Sequence, residues 1–200
     1  MRVIGQFIDQ DRPDLFVWLR GFADMPARQR ALTAFYGGPV WAAHRDAANA
    51  TMVDSDNVLL LRPAWIGAAA DLPSMRAAPG ATGLAPGLVF VNVFYLREPA
   101  TPSLLDCCRS RMDPMLRAGG SRHTAWYVSD ASPNTFPLLP VRQGESVLLG
   151  MALFDETAAF DTFANGKAWE RDAAAILAPW LAKAPEAHRL RPTARSALHA

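Results

Sequence analysis

The chain has 200 residues, half of them apolar, and a formal net charge of +1. That is ample apolar material for one packed core or two small ones, and a near-neutral chain without a basic cluster has little field to steer it to nucleic acid or an anionic membrane. No apolar run reaches the roughly 18 residues a membrane span needs, and Met1 is not followed by a basic patch and an apolar stretch of the signal type.

The cysteines, Cys107 and Cys108, are adjacent in sequence and point in different directions on a helix, so they form neither a disulfide framework nor a metal clip. A reduced compartment fits, and the expected location is cytoplasmic. No metal or cofactor is expected. The partners expected are a small apolar ligand and a second copy of the chain, as a homo-oligomer.

Residues 2 to 8, with Val3, Ile4, Phe7 and Ile8 apolar, form a short strand, and the polar run from Asp9 to Asp14 is a turn of hairpin length. The next strand starts at Leu15. On it Leu15, Val17 and Leu19 face one way, and Phe16, Trp18, Arg20 and Phe22 the other. Both faces are largely apolar, so both should be covered, one by helices and the other by a second sheet or a barrel interior. Arg20 is the odd residue, either snorkelling to solvent near a strand end or paired with an acid.

Asp24 is placed to cap a helix that Gly37 and Gly38 break before Pro39 opens another. The second helix carries Trp41, Arg45 and Ala48 on one face, with His44 beside them. Asp54, Ser55, Asp56 and Asn57 form a turn into a strand over 58–61. The cluster lacks the Gly and the terminal Glu of a calcium loop.

Residues 64–87, rich in Ala, Pro and Gly, read as a linker with no element except for a short periodic stretch over 65–70. The strongest strand follows at 88–97, with Val89, Val91, Val93 and Tyr95 on one face and Phe90, Asn92 and Phe94 on the other. A helix over 102–118 has the stripe Leu104, Leu105, Cys108, Met112, Met115 and Leu116, and Gly119-Gly120 stops it. A strand over 122–128 and a proline-rich loop over 129–145 come next. The loop is much longer than the Asp9 to Asp14 turn, and Phe136, Leu138, Leu139 and Val141 predict a strap lying on apolar surface, anchored by Arg142. A strand over 146–154, a helix over 157–182 bent near Pro179, and a last strand over 186–191 complete the chain.

An internal echo organises these elements. Phe35, Gly38 and Trp41 are spaced as Phe163, Gly166 and Trp169 are, and each copy ends in Leu-Arg-Pro, at Leu61 to Pro63 and Leu190 to Pro192. The second copy has the β-α-β-β-α-β order of a ferredoxin-like unit. The first shows β-β-α-β, lacking its opening strand and helix, which leaves the strand from Leu15 with a bare edge. Either the missing piece precedes Met1 in a longer protein or another segment fills the gap, and the former is the expectation. The units are an incomplete N-terminal one over 1–63, the linker over 64–87 and a C-terminal one over 88–195.

The run Phe35, Tyr36, Gly37, Gly38, Pro39, Val40, Trp41, then His44, Arg45 and on to Met52, with Asp54 to Asn57 ahead of a strand, resembles the NIPSNAP family in its bacterial tandem members. In the second copy Glu170 and Arg171 stand where the first has its His-Arg pair. The resemblance implies an α+β fold of tandem ferredoxin-like (split βαβ) units joined as a dimeric α+β barrel. It implies no common reaction, because animal members of the family are associated with mitochondria and partner binding rather than catalysis.

No phosphate loop, Gly-x-Ser-x-Gly elbow, His-Glu-x-x-His helix or dinucleotide fingerprint is present. Two function classes remain. The first is a small-molecule-binding or protein-interaction module. The second is a cofactor-independent enzyme of monooxygenase type acting on an apolar metabolite in the barrel. It would use His44 as acid or base and Arg45 or Arg20 as a clamp for a bound anion, with Asn92 as a hydrogen-bond anchor and Trp18, Trp126 and Tyr127 as cavity wall. The bland alternatives are a solvated helix histidine at His44, a structural His123, and exposed His188 and His199. An open cavity reaching His44 favours the enzyme, and a barrel filled with side chains favours the module.

Overall fold

The computed structural model describes residues 1–54, 56–70 and 76–200. Its strands are β1 (Arg2–Asp9), β2 (Phe16–Gly21), β3 (Leu61–Pro63), β4 (Leu88–Leu96), β5 (His123–Ser129), β6 (Ser146–Phe154) and β7 (Glu186–Pro192). They form one antiparallel sheet in the order β2-β1-β7-β4-β6-β5-β3, curled into a half-barrel. Its helices are α1 (Met25–Tyr36), α2 (Pro39–Ala50), α3 (Pro102–Cys107), α4 (Asp113–Ala118), α5 (Thr157–Asn165) and α6 (Ala168–Leu177).

β4 is buried along its whole length because both its faces are covered. Val89, Val91, Val93 and Tyr95 point into the concave side, where they meet Phe7, Tyr127, Leu149, Met151, Leu190 and Leu198. Leu88, Phe90, Phe94 and Leu96 point to the helices and pack with Leu104, Met112, Leu116, Phe160 and Trp169. The period-2 alternation of one strand thus divides the molecule into a filled concave core and a helix-covered outer core.

The sheet order shows how the strands meet. Within β7-β4-β6-β5 the strands take the ferredoxin-like arrangement. The hairpin β1–β2 joins one end of that set by pairing Phe7–Asp9 with Leu190–Pro192, and β3 joins the other end by pairing with β5. β2 is the terminal strand. Among the described residues no backbone hydrogen bond reaches Phe16–Gly21 other than from β1, so the bare edge expected on this strand is present. Phe16 on it is 51% exposed.

Several elements differ from the expected ones, each for a local reason. The helix over 102–118 is interrupted by a π turn, Cys108–Met112. Pro114 follows, which has no N–H and whose ring crowds the carbonyl four residues back, and a π turn absorbs that conflict. The single helix expected over 157–182 is two, broken at Gly166 and Lys167, the latter at φ 53°. β3 starts later than expected because its approach is held by the strap instead of the sheet: Arg142 N–H donates to Val58 O at 2.8 Å and Asp130 N–H to Leu60 O at 2.9 Å.

Among its described residues, the stretch expected as a linker has no helix or strand but is docked. Ala64 N–H donates to Trp126 O, Trp126 N–H to Ala68 O, and Ala85 N–H to Pro192 O. The part over 71–75, like Ser55 of the acidic turn, lies outside the described residues. Of the strap's apolar residues Phe136 lies on apolar surface as expected, buried and stacked on Tyr36 of α1 at 5.6 Å, whereas Leu138 is turned out to solvent, 86% exposed. The strap therefore spans from the β3 end of the sheet to the helix beside β2. Among the described residues no helix is long and apolar enough to cross a membrane.

Candidate functional site

The residues singled out from the sequence do not converge on one cavity. His44 and Arg45 are exposed on α2, a helix that buries none of its residues, and Arg45 Nε pairs with the neighbouring Asp46 at 3.1 Å. Trp18, Arg20, Asn92 and Trp126 share the register that faces the helices. Trp18 meets Phe35 of α1 edge-on at 6.3 Å, and the Arg20 guanidinium lies 4.4 Å from the Trp18 ring centre. Asn92 is buried opposite Gly150 and Ala187. Trp126 Nε1 donates to Asp113 of α4 at 2.9 Å. Tyr127 alone of the set is on the concave side, where its hydroxyl accepts the Ala70 N–H at 2.9 Å and burial pushes its pKa up.

The convergent polar groups sit instead at one rim of the concave face, carried by the same alternation that fills its middle. Tyr95 near the end of β4, Glu186 and His188 at the start of β7, and Asp9 at the end of β1 are linked in a chain. Tyr95 donates to Glu186 Oε1 at 2.6 Å and accepts from Arg142 Nη2 at 3.1 Å. Burial first, then the Glu186 carboxylate, hold the Tyr95 phenol above its usual range in spite of Arg142. It stays a proton donor at neutral pH.

Arg142 also pairs with Glu145 and donates to Asn57 Oδ1 at 3.3 Å. Lys183 Nζ completes that side, 3.0 Å from Glu145 and 3.7 Å from the Tyr95 ring centre. The strap residue read as an anchor is therefore one, and it holds the strap to the rim.

On the other side His188 Nδ1 lies 2.8 Å from Asp9 Oδ2 and 2.8 Å from Arg12 Nη2. With its proton at Nδ1, the ring donates to Asp9, while Arg12 adds its charge 3.6 Å from the same carboxylate. Asp9 is 1% exposed. Burial pushes its carboxyl up, but His188 and the N–H groups of Asp11 and Arg12 outweigh it and hold the group below its usual 3.8. The Nε2 of His188 faces Glu186 Oε2 at 3.9 Å. His188 was expected to be exposed near the chain end, yet its side chain is only 13% exposed. The signal was in the alternation: His188 is two residues from Leu190, a core residue of the concave face.

A hollow of about 370 Å³ opens beside this network, lined by Asp54, Asp56, Asn57, Arg142 and Glu186. The acidic turn thus faces the rim. Asp54 Oδ1 accepts the Asp56 N–H at 2.7 Å, and among the described residues no group of His, Cys, Asp and Glu is arranged to hold a metal. A second hollow of about 270 Å³ lies between Arg97, Glu98, Pro99 and Thr101 on one side and Pro179 and Trp180 on the other. Neither reaches His44 or the middle of the concave face.

No family profile and no curated protein matches the chain. Among solved structures, it is similar to a dimeric ferredoxin-like protein of unknown function from Thermobifida fusca YX, at 17% identity over 55% of this chain and 96% of that one, with a TM-score of 0.37. It is also similar to an anthrone oxidase-like protein, at 14% identity over 100% of this chain and 84% of that one, with a TM-score of 0.43.

Proposed function

We propose that this chain is a small-molecule-binding module, built from tandem NIPSNAP-like units, that holds a polar ligand at the rim of its half-barrel. The carrying observation is the contrast between the two parts of the concave face. Its middle is filled with buried aliphatic and aromatic side chains, whereas its rim carries the hollow of about 370 Å³. Ligand sites need such convergent polar groups beside a volume of a few hundred Å³. The ligand that fits Asp54, Asp56 and Glu186 beside Arg142 is a polar molecule with hydrogen-bond donors, such as an amine or polyol, rather than the apolar metabolite expected from the sequence. Tandem architecture is supported by the two aromatic pairs Phe35–Trp41 and Phe163–Trp169, whose rings are 5.7 and 6.2 Å apart at 39° and 47°.

Mass spectrometry of small molecules retained by natively purified protein tests this reading. A homogeneous polar ligand that Glu186→Gln or Arg142→Met releases supports it. A ligand retained equally by both variants places binding elsewhere.

A second reading rests on the Asp9–His188 pair. A histidine oriented by a buried carboxylate, with its other nitrogen toward the rim, is the arrangement of a general base. If the module is an enzyme, His188 rather than His44 moves the proton. Turnover of the retained ligand that survives His44→Ala and is lost in His188→Gln supports that reading.

A further inference from the structure

The outer face of β2 carries donors without acceptors. Arg28 of α1 is 3% exposed, and its side-chain hydrogen bond goes from Nη1 to the neutral Oδ1 of Asn134 on the strap, at 2.9 Å. Trp18 Nε1 and Arg20 Nη1 are both buried without a hydrogen-bond partner among the described residues. Neither arginine forms an ion pair with a described carboxylate. The nearest acid on α1, Asp24, is committed to capping that helix through Ala27 N–H at 2.6 Å. On the strap, Asp130 is likewise occupied by Ser132 N–H at 2.8 Å.

Two guanidinium groups in one neighbourhood, one fully buried, carry a desolvation penalty that a neutral amide oxygen does not offset. Burial first, and then the Arg20 charge, lower the pKa of Arg28. The positive end of the α1 dipole adds to the same field, and the first turn of that helix holds no acid. On this same face of the sheet, Trp126 shows the satisfied arrangement, its indole N–H bonded to the Asp113 carboxylate. Trp18 has the same group and lacks the carboxylate.

We propose that the helix-side face of β2, where Trp18 and Arg20 lie together beside α1 and its buried Arg28, is an oxyanion-binding site that takes the carboxylate or phosphate group of a small molecule. Planar guanidinium groups and an indole N–H match the oxygens of such a group, and hydrogen bonds between opposite charges are the strong ones. The half-buried rings of Phe35, Tyr36 and Trp41 pack together beside Trp18, so an aromatic or acyl body on the anion has apolar surface to lie on. This site is on the opposite face of the sheet from the rim hollow and does not depend on it.

The indole N–H resonance of Trp18, assigned by its loss in Trp18→Phe, reports the site directly. Benzoate, phenyl phosphate, inorganic phosphate and neutral benzamide are titrated in chloride-free buffer to about 10 mM, enough to see a Kd of ~1 mM. A saturable shift with at least one of the three anions and none with benzamide is expected. The identity of the anion that acts then tells carboxylate from phosphate, and free phosphate from one carried on a ring.

Arg20→Met should weaken the response by about tenfold or more, as the loss of a charge-assisted hydrogen bond does. Arg28→Met should abolish it while folding at least as stably as the parent in anion-free buffer, since it removes an unpaired buried charge. If Arg28→Met does not fold, Arg20→Met and Arg28→Lys carry the test. No saturable shift with any anion, an equal shift with benzamide, or an undiminished response in the folded arginine variants would overturn the proposal.

Discussion

At the residue scale, the acids and tryptophans of this chain are read by what they touch. Asp9 is a buried carboxylate held in its charged form, so the unfolded chain binds a proton more tightly than the folded one. Its stabilisation is therefore fully present above about pH 3.8 and is lost as pH falls below that value toward the lowered folded pKa. Urea melts of Asp9→Asn and the parent from neutral pH downward should show a smaller fall in stability for the variant below about pH 4. Parallel curves would remove Asp9 from the acid response. Trp169 is buried among Phe90 and Phe163, and Trp169→Ala should cost about 3–5 kcal/mol. Trp41, its counterpart in the Phe-Gly-Trp spacing, is only half-buried on a helix with no buried residue. Its replacement by Ala should cost clearly less in the same denaturant melts. The alternation of strands was legible at this scale and placed most residues on their correct face. The same alternation puts the neighbours Trp126 and Tyr127 on opposite faces; what it left open was which face is the concave one, and of the cavity-wall residues only Tyr127 reaches it.

At the element scale, close fits depend on what an element lacks. Gly150 of β6 is opposite Trp126 of β5, and a Cβ there would come within 2.7 Å of the indole ring. That ring is fixed on its other side by the Asp113 carboxylate and cannot retreat without breaking the bond. Gly150→Ala should therefore cost about 1–3 kcal/mol, as overpacking does, and calorimetry would register it. The break inside the 102–118 helix was illegible because the stripe Leu104, Cys108, Met112 and Leu116 continues through it. Cys108 stays buried there, its thiol pushed up to about 12 by burial and by Cys107, so it should resist alkylation in the folded state. The strap was legible as an apolar, proline-stiffened segment because those properties are local. Its reach from β3 to α1 is a tertiary fact with no local signal. Phe136→Ala removes its stacking on Tyr36 and should speed proteolytic cleavage within 130–145. An unchanged cleavage rate would mean that Arg142 and Asn134 suffice to hold it.

At the scale of the whole molecule, the period of the apolar pattern led to the right fold class, because sheet faces and helix stripes are written in sequence. The joining of β1 to β7 and of β3 to β5 was not written there, since it depends on two distant edges meeting. The consequence of that arrangement is a sheet that begins at an unpaired strand. β2 offers a row of backbone donors and acceptors and an exposed Phe16, with no proline on the edge; the one irregularity of its pairing lies on β1, between Val3 and Gly5, and its Arg20 turns to the helix side. Phe16 faces away from the concave core, so a lysine there keeps the packing of Val17 and Leu19 while placing a charge on the edge. Phe16→Lys should leave the thermal midpoint of the dilute monomer nearly unchanged, because a half-exposed ring at a strand end contributes little burial. If β2 pairs with another chain, the parent should associate as its concentration rises and the lysine variant should not. Sedimentation of both across a wide concentration range distinguishes the cases, and identical behaviour would show that the strap and α1 already shield this edge.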